Sequence, residues 1–214
     1  MTLYYNSKDI LIRLATPVLG LERRMFKGRK SQVTLYQNKN IALKKCKCLL
    51  LGDSHTFGLN KYLEDDPAVV NIGINGDTTK GLLGRYNENI ASIQPDIAIL
   101  QIGYNDFKYR SVRQTLLNYK KLLSRLEKND KVFICSLFPV IHHRTITNKK
   151  IRMFNEELIT ICAGQGKLTY INIFDLLYDK DINGLNPLYT YDGVHLNDEG
   201  YKRYLESIGS IINQ

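Results

Sequence analysis

Gly52-Asp53-Ser54-His55 follows directly on the apolar run Cys48-Leu49-Leu50-Leu51. The run reads as a buried strand, and ligands in open α/β sheets gather at the carboxyl ends of the strands. A serine hydroxyl there is a weak nucleophile until a base takes its proton during attack. Alone, Ser54 reads as a turn former or a helix cap.

Three later segments change that reading. Gly73-Ile74-Asn75-Gly76-Asp77-Thr78 follows the next apolar run. The amide of Gly76, or of Gly73 in the same loop, can point at a developing oxyanion, because glycine lets a ligand approach the backbone. In Gly103-Tyr104-Asn105-Asp106, the Asn105 side chain offers N–H donors for the same oxygen, or else forms an Asx turn. In Asp192-Gly193-Val194-His195, the carboxylate can hold one ring nitrogen and leave the other as a base for Ser54. Each segment is weak by itself. Together they supply a nucleophile, oxyanion donors, a base and an orienting acid. Ser…Asp…His is one of the serial orders this geometry takes. Gly-x-Ser-x-Gly is missing, so Ser54 is not the nucleophile elbow of an α/β-hydrolase.

Such a site needs strands that end side by side. Apolar runs at about 47–51, 69–72, 97–102, 132–137 and 168–173 read as buried strands. Helical patterns fall near 56–64, 78–92, 111–128, 148–163 and 197–212. Asp77 or Thr78 is expected to cap the second helix, Asn197 or Asp198 the last, and Asp106 to cap the third less directly. Strand and helix in alternation predict an α/β fold: three layers, α/β/α, around a flavodoxin-like five-stranded parallel sheet in the order 2-1-3-4-5. Ser54, Gly76 and Asn105 then leave three adjacent strands.

The chain has 214 residues with 43% hydrophobic and 24% charged side chains, the balance of a soluble globular domain. Residues 1–50 hold 11 Lys and Arg against 2 Asp and Glu, whereas residues 51–214 hold 19 of each. The excess charge therefore precedes the first motif, which argues against nucleic-acid binding by the main domain. The division is a basic extension over 1–45 and a catalytic domain over 46–214. Within the extension, Ile10, Leu11, Leu14, Val18, Leu21 and Met25 have helical spacing, with Pro17 as a kink and a hairpin after it. That helix packs on the main domain, or residues 8–30 lie peripherally on an anionic membrane. The N-terminus does not read as a secretory signal. Cys46, Cys48, Cys135 and Cys162 lack zinc-site spacing and read as reduced, mostly buried thiols, which places the protein in the cytoplasm.

These blocks resemble the SGNH hydrolases, also called the GDSL esterase/lipase family, over residues 47–214. The resemblance implies that Ser54 is the nucleophile and that the Ser54 amide, Gly76 and Asn105 form the oxyanion hole. His195 is then the general base, oriented by Asp192, with no metal or organic cofactor. Two positions depart from the family pattern. His55 stands where leucine or isoleucine is common, and is expected to line the substrate entrance or hydrogen-bond nearby. Tyr104 stands where small residues are common, and is expected to narrow the acyl pocket or touch a polar substrate. His142 and His143 border the cleft or form a solvated pair. The expected activity is ester hydrolysis through an acyl-enzyme, on a small-molecule or glycan ester, with an O-acetyl sugar first. A lysophospholipid or thioester substrate, acyl transfer, and a binding protein that retains the fold are the alternatives.

Overall fold

The computed structural model describes residues 45–63 and 68–213. The helix and hairpin expected in the basic extension lie outside the described residues. Strands β1 (Lys45–Gly52), β2 (Val69–Asn71), β3 (Gln94–Gln101), β4 (Lys131–Cys135) and β5 (Leu168–Ile171) form one sheet in the order 2-1-3-4-5. All its ladders are parallel. This is the predicted fold.

The apolar runs are continuous because both sheet faces are covered. Leu49, Leu51, Ala98, Leu100, Val132 and Ile134 face one helical layer. Helices α2 (Thr79–Asn89), α3 (Val112–Leu126) and α4 (Asn148–Cys162) supply it, through Leu82, Tyr119 and Phe154 among others. Cys48, Leu50, Ile97, Ile99 and Cys135 face the opposite layer. There Leu59, just after the short helix α1 (Ser54–Gly58), packs with Tyr204 and Ile208 of α6 (Asp198–Ile212). Burying each such aliphatic side chain contributes roughly 1.5–3 kcal/mol. A short helix α5 (Phe174–Leu177) and a hairpin of β6 (Tyr178–Asp179) and β7 (Gly184–Leu185) lie between β5 and α6.

Caps set the helix starts. Thr78 accepts from the Gly81 amide and Asn197 from the Gly200 amide, choosing between the expected alternatives. Ser111 and Gln114 close a capping box on α3, so Asp106 does not cap that helix. Two strands stop early for a local reason. Beyond β4, the Leu137 backbone pairs with the buried Asn155 side chain at 2.9 and 3.0 Å. Beyond β5, the Ile173 and Phe174 amides donate to Ser136 Oγ at 2.9 and 2.8 Å. Side chains thus replace the ladder and turn the chain.

Candidate active site

Ser54 is the first residue of α1, immediately past β1. The turn before it is tight: a side chain on Gly52 would collide with Thr56 Oγ1 and the Gln101 carbonyl. Asp53 is fully buried and accepts from the His55 amide at 3.1 Å. The Phe57 amide donates to the Asp53 carbonyl at 2.9 Å. Backbone and cap together therefore fix where Ser54 points.

The loop after β2 is tied to this turn. Asn71 Nδ2 donates to the Thr56 carbonyl at 2.7 Å, and Asn71 Oδ1 accepts from the Gly73 amide at 2.9 Å. Gly73 is buried against α1, with no room for a side chain beside the Phe57 amide. Gly76, at φ +68°, lines the same cleft as Ser54. Asp77 is buried, and its carboxylate accepts from its neighbour Thr78 N at 2.9 Å and from Arg85 Nε at 3.0 Å.

Asn105 opens a 3₁₀ turn, Asn105–Lys108, past β3. Its Nδ2 donates to the Asp77 carbonyl at 3.1 Å, and its Oδ1 accepts from Lys108 Nζ at 3.0 Å. A second latch joins the same loops. Thr79 donates to Asp106 from its amide at 2.7 Å and from its hydroxyl at 2.6 Å. Burial pushes the Asp106 carboxyl up to about 6, against the pull of Thr79 and Arg110.

Asp192 and His195 form the remaining pair. Asp192 Oδ2 lies 2.7 Å from His195 Nδ1, while Oδ1 accepts from the Val194 amide at 2.9 Å and the His195 amide at 2.7 Å. An ionised carboxylate only accepts, so Nδ1 carries the proton and Nε2 is left basic. Partial burial pushes Asp192 up, but the hydrogen bonds from His195 and Val194 outweigh it and hold the carboxyl below its ordinary value. Gly193 takes φ +82° to close the turn. Its carbonyl accepts from the Ile141 amide at 2.9 Å, and Thr190 Oγ1 donates to the His195 carbonyl at 2.6 Å.

Ser54, Gly76, Asn105 and His195 line one open cleft of roughly 970 Å³. Asp192 stands behind His195, and His55, Tyr104 and His142 do not line the cleft either. His55 is 1% exposed and sits beneath the floor, with Nε2 3.1 Å from the Val194 carbonyl oxygen. Of the two roles expected for it, the entrance is corrected to the hydrogen bond. Tyr104 is 3% exposed, with its ring edge-on to those of His55 and His143. It is therefore core beneath the site, because apolar neighbours take up the ring before it can reach the cleft. His142 is exposed, whereas His143 Nδ1 accepts from the Ile146 amide at 3.1 Å. The cleft also holds residues that sequence reasoning missed: Lys61, Asn75, Lys108, Tyr191, Asp198 and Glu199. Only the three-residue step from Asn105 to Lys108 carries a readable signal, and only once a 3₁₀ turn is assumed.

Burial pushes the free thiols up, to about 11 at Cys46 and Cys162 and about 12 at Cys48 and Cys135, away from reactivity. Among the described residues, no three His, Cys, Asp or Glu side chains gather as a metal site, and no helix is long and apolar enough to cross a membrane.

No curated protein matches the chain. Solved structures do. A Streptococcus pneumonia protein whose name refers to platelet activating factor superposes with a TM-score of 0.78 at 24% identity, covering 92% of this chain and 99% of its own. A GDSL-like lipase from Bacteroides thetaiotaomicron gives 0.74 at 24% identity, covering 85% and 97%. An acetyl-xylooligosaccharide esterase variant from Geobacillus stearmophilus gives 0.61 at 18% identity, covering 78% and 94%. These likenesses carry the fold. The family comes from the sequence: residues 50–203, most of the chain, match the GDSL-like Lipase/Acylhydrolase family. The protein belongs to that family and is a hydrolase of the esterase class.

Proposed function

We propose that the protein is a serine esterase that removes short acyl groups, O-acetyl foremost, from carbohydrate hydroxyls. The observation that carries this reading is the shared cleft of Ser54, Gly76, Asn105 and His195, with Asp192 hydrogen-bonded behind His195. Ser54 Oγ attacks the ester carbonyl as His195 Nε2 takes its proton. The amides of Ser54 and Gly76 and the side chain of Asn105 hold the tetrahedral oxyanion. Collapse breaks the bond to the alcohol oxygen, which receives the proton from His195. Water then attacks the acyl-enzyme, gives a proton to His195 and releases the acid and Ser54.

The character of the cleft supports a sugar ester over a long-chain lipid. Beside Phe57, Tyr62, Leu196 and Tyr201 its walls carry Asn60, Lys61, Asn75, Asp198 and Glu199, so donors and acceptors for hydroxyl groups stand among apolar faces. Tyr191 is 70% exposed and stacked on the His195 ring at 6.1 Å, an apolar face for a sugar ring. An acyl chain of many carbons is best buried in an enclosed apolar pocket, whereas this cleft is open. The acetyl-xylooligosaccharide esterase of this fold takes an ester of the kind proposed.

The test is hydrolysis of p-nitrophenyl acetate, butyrate, octanoate and palmitate, and of acetylated xylo-oligosaccharide, by the wild type and Ser54→Ala. Activity on short chains and the acetylated sugar, abolished in the variant, is expected. Activity that rises with chain length overturns the sugar-ester reading. Added sugar acceptor separates hydrolysis from transfer, since both pass through the same acyl-enzyme. Peripheral contact of residues 8–30 with anionic membrane is a separate proposal. Deleting them is expected to abolish retention on anionic vesicles, and unchanged retention overturns it.

A further inference from the structure

We infer that Lys108 is a positioning residue of the oxyanion hole: its ammonium, hydrogen-bonded to Asn105 Oδ1, polarises the amide that holds the developing oxyanion. This rests on the esterase reading above.

Side chains three apart in a 3₁₀ turn lie over one another, so Lys108 returns across the residue that opens its own turn. Nζ reaches Asn105 Oδ1 at 3.0 Å. On the other side of the amide, Nδ2 donates to the Asp77 carbonyl at 3.1 Å. A cationic donor at one end and a carbonyl acceptor at the other allow only one orientation of the amide. Asn105 is 4% exposed, so the side chain has little room to move.

The amide has two N–H groups. One is committed to Asp77, and the other belongs to the cleft that Asn105 lines together with Ser54, Gly76 and Lys108. Hydrogen bonds to an ionised donor are roughly twice as strong as neutral ones, and linked hydrogen bonds strengthen one another. Electron density drawn toward Oδ1 therefore makes the remaining N–H a better donor. With the ammonium 3.0 Å from Asn105 Oδ1, its charge favours the transition state over the neutral ester. Its effect thus belongs in kcat and passes through Asn105.

The experiment is a double-mutant cycle. Lys108→Met, Lys108→Arg, Asn105→Ala and the combined variants are compared in p-nitrophenyl acetate hydrolysis and in the rate at which a fluorophosphonate labels Ser54, read by intact mass. Lys108→Met is expected to lower kcat and the labelling rate about tenfold, with KM little changed. Lys108→Arg is expected to recover most of the loss. Asn105→Ala alone is expected to cost about 10²–10³-fold, and in that background Lys108→Met is expected to cost nothing further. No loss, a loss confined to KM, or an equal loss in the Asn105→Ala background overturns the assignment. Labelling of Ser54 in every variant at the wild-type rate overturns it while leaving the esterase reading in place. A wild type that neither hydrolyses the ester nor labels at Ser54 overturns the esterase reading, and the role of Lys108 with it.

Discussion

The His55 ring ties the turn of Ser54 to the turn of His195: its Nε2 lies 3.1 Å from the carbonyl oxygen of Val194, midway along the Asp192-to-His195 turn. The ring is buried against Tyr104 and Phe138, 5.7 Å from the His195 ring. Nδ1 faces Asp53 Oδ1 at 3.4 Å, an ion-pair distance. Both ring nitrogens thus face oxygen acceptors, an arrangement that favours the imidazolium.

Burial alone pushes the His55 imidazole down, but the Asp53 carboxylate, the Val194 carbonyl and Asp192 outweigh it, so its pKa is raised above 6.5. A histidine raised on folding stabilises the fold fully below its unfolded value, and that contribution is lost as pH rises through the folded one. His55→Leu keeps the apolar contacts and removes both polar ones. Unfolding in urea from pH 5.5 upward is expected to show wild-type stability falling through this window and a flatter curve for the variant, with kcat lowered. Parallel pH curves for the two proteins would sink the idea.

The strands and the main site segments are legible because their signals are local. An apolar run followed by Gly52-Asp53-Ser54 places Ser54 at a strand end whatever the rest of the chain does. His55 is different. Which way the residue after Ser54 faces is decided by the Asp53 cap, and by Phe138 and Tyr104, brought in from distant segments. Tyr104 is lost to the core for the same reason, since nothing within its own loop says that His55 and His143 will flank it. At 142 and 143, a one-residue difference in a loop decides which histidine turns inward, and no periodicity marks it.

Asp106 latches the loops after β2 and β3 through Thr79. Its carboxyl, raised by burial from 3.8 to about 6, favours the fold most when protonated. That contribution is present below pH 3.8 and is lost as pH rises through about 6, a change on the order of 3 kcal/mol. Asp106→Asn is expected to remove this slope from the stability curve between pH 4 and pH 7. It also weakens the latch near neutral pH, because an amide nitrogen cannot accept from Thr79 as a carboxylate oxygen does. A slope unchanged in the variant would assign the linkage to another carboxyl.

Asp192 spans its turn with both oxygens, one to the His195 ring and one to two backbone amides. It therefore fixes the tautomer of His195 and the position of the ring together. Asp192→Asn can keep the backbone bonds through its oxygen, but then turns N–H toward Nδ1. The ring must present a lone pair there, which moves its proton to Nε2 and removes the base. Turnover of p-nitrophenyl acetate is expected to fall about 10²–10⁴-fold with the thermal midpoint little changed, because the pair is part exposed and contributes little to stability. Asp192→Ala loses the backbone bonds as well, and is expected to lower the midpoint along with kcat. The depressed pKa of Asp192 means that its stabilising contribution is present above the ordinary carboxyl range and lost as pH falls through the folded value. The wild type should accordingly lose this contribution as pH falls below the ordinary carboxyl range. Should Asp192→Asn turn over ester at the wild-type rate, the 2.7 Å contact with His195 holds a surface turn together and orients no base.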